Sequence, residues 1–209
     1  MYKSFDLAAI MNAEQSFRRD FVNCLSGYKS LNLIGTKSKQ GVTNLAPFSQ
    51  VFHIGASPPL VGILFRPHTV KRHTLENILE TERFTLNHVT EEFYKEAHLS
   101  SARWESSEFE ATGLEEEYLE DFPAPFVKIS PLKVACHFVE SQTLKINGTI
   151  LLIGAVQQVW VKEEAVGRDG FVDLNLLGTV TVSGQDEYHI GKKLGRLSYA
   201  KPGEKLTEK

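Results

Sequence analysis

The chain has 209 residues, 42% of them hydrophobic and 23% charged, with a net charge of −3. That length suits one domain with a substantial core. The acidic balance excludes general attraction to nucleic acid or an anionic membrane, and no apolar run approaches the ~20 residues that a membrane-spanning helix needs.

The N-terminal stretch MYKSFDLAAIMNAEQSFRRDF is interrupted by Asp6, Glu14 and Arg18, which is not secretory-signal architecture. Phe5, Ile10, Phe17, Phe21 and Leu25 have mixed helical spacing, which predicts a helical extension over residues 1–25. Leu31–Thr36, Ser49–Ile54 and Leu60–Phe65 are short apolar runs bounded by Gly, Pro and Ser, and read as strands. Between the first two, Gly41–Ser49 reads as a polar turn. Thr74–Glu82 reads as a helix with Thr74 or His73 at its N-cap, followed by a strand at Phe84–Val89. Thr90–Ala102 reads as a helix capped by Thr90, and a short helical SEFEAT segment begins at Ser106 or Ser107 and is closed by Gly113. The acidic run Glu115–Asp121 reads as a solvated face.

The second half is rich in strands: Phe126–Ile129, Val134–Val139 and Thr149–Val161, with Leu174–Val182 a further strand or a mixed segment. Asn147-Gly148 is a strong hairpin signal, and Arg168-Asp169-Gly170 another turn. The tail after Pro202 reads as flexible. Short strands with helices between them predict a mainly β fold, a barrel with inserted helices. Regular βαβ alternation and a GxGxxG motif are both missing, which argues against a dinucleotide-binding Rossmann sheet.

Cys24 and Cys136 have no CxxC partner, as expected for reduced thiols of a cytoplasmic protein. The seven histidines form no compact metal pattern, so no metal is expected. The sharper signal is cationic. Arg66, His68, Lys71, Arg72 and His73 crowd the start of the helix that opens near Thr74. A helix N-terminus already carries partial positive charge, so cations are poorly placed there unless an anion joins them. Phosphate suits the place, because backbone N–H groups and arginine would converge on it. A solvated basic loop is the alternative. In the turn, Thr43 and Asn44 can satisfy local backbone groups, while Gly41 and Pro47 also permit close approach to a flat ligand.

The series G-x-x-N-x-A-P-F-S (Gly41–Ser49), Pro58-Pro59-Leu60-Val61 and Arg72-His73-Thr74-Leu75-Glu76-Asn77-Ile78 resembles the flavin reductase-like FMN-binding split-barrel family. The resemblance continues through Phe84–Asn87, Ser107–Leu114, Pro125–Ser130, Gly154–Val156 and Arg196–Tyr199. It implies a homodimeric split barrel holding FMN non-covalently near the dimer interface, with NAD(P)H as electron donor. Carried over by position, Thr43, Asn44 and Ser49 would lie along the ring and ribityl chain, with backbone of Pro47, Phe48 and Ser49 against the ring. Arg72, His73 and Thr74 would meet the 5′-phosphate, with Arg66 added from its charge. Asn87 and Ser101 complete the expected set. Two positions depart from the family pattern: His73 stands where Asp is usual, and Thr149 where NADH-oxidising members often have His. The second departure favours an alternative, a flavin-binding electron carrier or sensor without nicotinamide turnover. No side chain is assigned a catalytic role.

Overall fold

The computed structural model describes residues 1–209. Its N-terminal stretch is two short helices, α1 (Leu7–Asn12) and α2 (Gln15–Cys24), neither with a buried residue. Phe5, Phe17 and Phe21 cluster on one another, with centroids 4.9–6.0 Å apart. The strands β1 (Lys29–Ser30), β2 (Asn32–Lys37), β3 (Thr43–Phe48), β4 (Val51–Ala56) and β5 (Pro59–Phe65) follow. Then come helix α3 (His73–Thr81), strand β6 (Arg83–His88), helices α4 (Tyr94–Leu99) and α5 (Glu108–Thr112), and the two-residue strands β7 (Glu116–Glu117) and β8 (Phe126–Val127). The long strands β9 (Leu132–Thr143) and β10 (Ile150–Val161) form a hairpin, and β11 (Val180–Ser183) and β12 (Glu187–Ile190) end the series.

Seven strands form one antiparallel sheet in the order β3-β2-β6-β9-β10-β5-β4. The two edge strands, β3 and β4, are consecutive in sequence and joined by only Ser49 and Gln50. That link spans at most about 11 Å. The sheet must therefore curl until its edges adjoin, and the result is a barrel with a seam between β3 and β4. Bulges in the β9–β10 hairpin, at Ile153/Gly154 and Val156/Gln158, help the bend. Gly154 sits under Phe84, where a Cβ would come within 2.5 Å of the ring.

Burial follows the curl. Neighbouring residues on β2 face opposite ways, Leu33 into one apolar cluster and Ile34 into another. The barrel interior holds Ile34, Ile63, Phe65, Phe84, Cys136 and Leu152, with Leu75 and Ile78 of α3 plugging one end. On the other face of β2, Leu33 and Leu45 pack on Phe93, Phe109 and the small sheet β1-β11-β12 through Val180 and Val182. Cys136 is buried, which pushes its thiol well above the usual range, while Cys24 is exposed.

Several expectations change. The polar turn is confined to the residues before Thr43, because Thr43–Phe48 pairs with β2 along its whole length. Pro47 is tolerated there because β3 is an edge strand. The helix expected from Thr90 is only Tyr94–Leu99: Thr90 is held extended by an antiparallel bridge to Thr179. Arg72, not Thr74 or His73, is the N-cap of α3, and no side chain caps that helix. The acidic run is a solvated face as expected, with Glu115, Glu116, Glu120 and Asp121 exposed, and it also makes side-chain bonds. Glu116 accepts from Thr43 Oγ1 at 2.6 Å and from the Tyr118 hydroxyl at 3.0 Å, and Glu117 pairs with Lys133 at 2.6 Å. Beyond Pro202, Thr207 O accepts from Ser198 N–H at 2.8 Å and Arg196 O from Lys209 N–H at 2.9 Å. The Asn147-Gly148 and Asp169-Gly170 turns form as expected, with Gly148 at φ +74 and Gly170 at φ +79.

Two outcomes follow. A Cβ at Gly35 would collide with Pro125 O and lie 2.6 Å from Thr85 Oγ1. Gly35→Ala should therefore cost about 2–3 kcal/mol, read as a fall of about 4–12 °C in Tm. Burial lowers the His88 pKa from 6.5 to about 4. The unfolded chain binds this proton first, so the contribution is fully present above pH 6.5 and is lost as pH falls towards 4. The loss should be on the order of 3 kcal/mol. Urea titrations from pH 7 to 4 should show it, and a His88→Gln variant should have a flatter profile.

Candidate functional site

A cleft of about 910 Å³ opens at the seam. One wall is the end of β3 and the link to β4, from Ala46 to Gln50, half-buried throughout. The β9–β10 hairpin brings Thr149 to it, and the segment after α4 contributes Ser101, Arg103 and Trp104. The far end is the start of α3, with Arg66, Lys71, Arg72, His73 and Thr74. That helix runs nine residues with no side-chain cap, so its first-turn amide hydrogens are left for something else.

Charge in the cleft is one-sided. Arg66, Lys71, Arg72 and Arg103 take part in none of the ion pairs of the chain. The one acidic side chain lining the cleft, Glu108, is already accepting from Leu45 N–H at 3.0 Å. Glu76, in the first turn of α3, faces the His68 ring at 3.1 Å and accepts from Arg72 N–H at 3.4 Å. Arg72 donates from Nε and Nη2 to Pro67 O, both at 3.2 Å. Those bonds fix the fork and leave its remaining donors for an anion.

Thr74 and Asn44 form a buried pair at the foot of this end. Asn44 Nδ2 donates to Thr74 Oγ1 at 2.9 Å. Asn44 Oδ1 has no protein donor and is not sealed from the cleft. A buried residue with a free acceptor aimed into a cleft is suited to a ligand donor.

The structure thus brings together Asn44, Pro47, Phe48, Ser49, Arg66, Arg72, His73, Thr74 and Ser101. It does not bring Thr43 or Asn87 into the cleft. Alternation along β3 turns Thr43 the other way, where its hydroxyl bonds Glu116 and Ser107. Asn87 is fully buried: its amide donates to Leu33 O and Thr85 Oγ1, and its oxygen accepts from Val127 N–H. It ties three strands together and has nothing left for a ligand. Ser100 also lines the cleft; its hydroxyl donates to Ala97 O at 2.8 Å and retains acceptor capacity only. Arg103, Glu108 and Asn23 line the cleft without having been expected there. Arg103 carried a signal, a cation close behind Ser101, whereas nothing local marked Asn23. Trp104 is 42% exposed and anchored by its Nε1–H to Leu99 O. Phe109 packs in the core. No group of three His, Cys, Asp or Glu is placed to hold a metal.

Residues 28–176 match the family model described as flavin reductase like domain. The uncharacterized protein BH2278 of Halalkalibacterium halodurans is 30% identical over 191 residues, 85% of this chain and 90% of its own. Among solved structures, a Shewanella frigidimarina protein assigned as a flavin reductase with a split barrel domain is 51% identical, with a TM-score of 0.92. That match covers 95% of this chain and all of the other. Nitrilotriacetate monooxygenase component B from Bacillus cereus shares the fold at a TM-score of 0.81 and 19% identity, covering 92% of this chain and 97% of its own. The chain belongs to the flavin reductase like domain family and has its split-barrel fold.

Proposed function

We propose that the chain is an oxidoreductase that holds FMN non-covalently in the seam cleft, with NAD(P)H-dependent flavin reductase-like activity. One observation carries the reading. The same cleft joins an uncapped, cationic helix start to a half-buried wall and to the free oxygen of Asn44. A 5′-phosphate at the α3 end would take the open amide hydrogens and the remaining donors of Arg72, with Arg66 and Lys71 beside it. The cations at the end of the cleft suit a terminal monophosphate, which favours FMN over FAD. The flat ring would lie along Pro47–Ser49, and Asn44 Oδ1 would accept from the ring or the ribityl chain.

A bound flavin supplies the redox chemistry, taking up a hydride and passing electrons on. The work of the chain is to bind the group, orient it and leave one face of its ring open. The open side of the cleft is bounded by Ser101, Arg103 and Trp104. Thr149 lines the same cleft, so its departure from the family pattern falls within the site. A hydroxyl there does not titrate near neutral pH, as a histidine would. That observation favours the second reading, an electron-transfer or sensor protein whose flavin is reduced by something other than nicotinamide. A homodimer belongs to the leading reading: Phe52 and Ile54 on edge strand β4 are 40% and 39% exposed, an apolar edge that a second copy would cover. So does a cytoplasmic location, which suits the two free thiols.

The purified protein should show flavin absorbance or acquire it with added FMN; a colourless protein that refuses FMN overturns the reading. Arg72→Ala should weaken FMN about ten- to a hundredfold and riboflavin far less, measured by fluorescence quenching. Equal weakening of both would show that Arg72 does not read the phosphate. Anaerobic NADH or NADPH should bleach the bound flavin within minutes; persistent colour selects the electron-transfer reading. Light scattering at micromolar concentration should give twice the chain mass.

A further inference from the structure

We infer that the chain has a second ligand site, at the opposite end of α3 from the seam cleft, for a small organic anion that carries a planar ring. The inference does not depend on flavin binding. A separate cavity of about 460 Å³ lies there, within the ~300–1,000 Å³ of small-molecule sites. Its floor is the end of β2 and the start of β6, and the Phe122–Ala124 segment forms one wall. Gly35 makes this wall possible, since only a residue without a Cβ lets Pro125 O approach β2 so closely.

Lys37, Lys39 and Arg83 line the cavity, and none takes part in an ion pair. The β2–β6 register pairs Gly35 with Thr85. The pairing ends there, and the continuation of β2 and the start of β6, unpaired with each other, bring Lys37 and Arg83 to the same cavity. Arg83 is partly accounted for, because its Nη1 donates to the α3 C-cap carbonyl, Glu82 O, at 3.0 Å and also contacts His137 Nδ1. Lys37 has only the Tyr118 ring, with its Nζ 4.8 Å from the centroid. That cation–π contact holds the ammonium in place without neutralising it.

The nearby carboxylates Glu80, Glu116 and Glu120 form no ion pair with Lys37, Lys39 or Arg83. Glu80 accepts from Lys39 N–H, Glu116 from Thr43 and Tyr118, and Glu120 from Gln158. Asp121, the one acid lining the cavity, leaves the cationic side in excess. The backbone points the same way. The chain has three non-glycine residues in the left-handed region, Glu82 (φ +58), Glu120 (φ +48) and Asp121 (φ +60), and of these Asp121 lines this cavity. Such conformations cluster where a ligand is clamped. Phe122 and Pro123 supply an apolar surface for a ring, and Lys37 and Lys39 a seat for its carboxylate or phosphate.

Two probes carry that chemistry from different sources: 2-aminobenzoate, an aromatic carboxylate, and AMP, a mononucleotide. Each is titrated by calorimetry into the FMN-saturated protein, and the tighter one identifies the source. At least one should bind saturably, and Lys37→Met/Lys39→Gln should weaken it at least tenfold while FMN affinity stays within twofold. The single variant Lys39→Gln, on an exposed turn, should weaken it at least threefold and guards against misfolding of the double. No saturable binding of either probe overturns the inference. So does binding unchanged in both variants, or binding abolished by excess FMN, which would place the anion in the seam cleft.

Discussion

The two residues that join β3 to β4 constrain everything else. They tether strands at opposite edges of a seven-stranded sheet, so the sheet has no flat solution. Closure makes an interior that apolar residues from five strands fill, and α3 caps it. It also leaves a seam, because β3 and β4 are not hydrogen-bonded to each other. A seam in a closed sheet exposes backbone donors and acceptors beside a half-buried wall, and the cleft of about 910 Å³ opens there. The cationic start of α3 lies at one end of this opening because the chain leaves β5 next to the seam and must turn before it plugs the barrel.

Helix α3 thus serves two regions. Its apolar face closes the core, its uncapped start faces the cleft, and its last residue, Thr81, borders the second cavity. The charge pattern along it is the reverse of what a helix prefers, with cations gathered at the start and no basic residue in the last turn. In an isolated helix that arrangement costs stability. Packing of Leu75 and Ile78 into the barrel lets it persist, so the start of the helix is free to be set by what it meets.

Much of this could be read from the chain. Strands rich in β-branched and apolar residues, such as β5, β6 and β10, announced themselves, as did the Asn-Gly hairpin. The cationic helix start was legible because it broke an electrostatic rule. What escaped shares one cause: tertiary partners distant in sequence overrode local signals. Thr43, Asn44 and Pro47 are turn-forming types, yet pairing with β2 makes them a strand. Thr90 is a good cap, yet Thr179 holds it extended. Asn87 looked available to a ligand, but Leu33, Thr85 and Val127 consume its amide. Only the folded chain distinguishes a polar side chain aimed at a cleft from one that braces strands.

The two cysteines now differ in kind. Cys136 lies inside the barrel, where its thiol stays protonated and unreactive. Cys24 is exposed at the end of α2, and its neighbour Asn23 lines the cleft. In the folded state a thiol-directed dye therefore has a single address, Cys24, whose Sγ lies beside Gly184 in the β11–β12 turn. Loss of the barrel uncovers a second thiol and turns the same reagent into a counter of unfolded molecules.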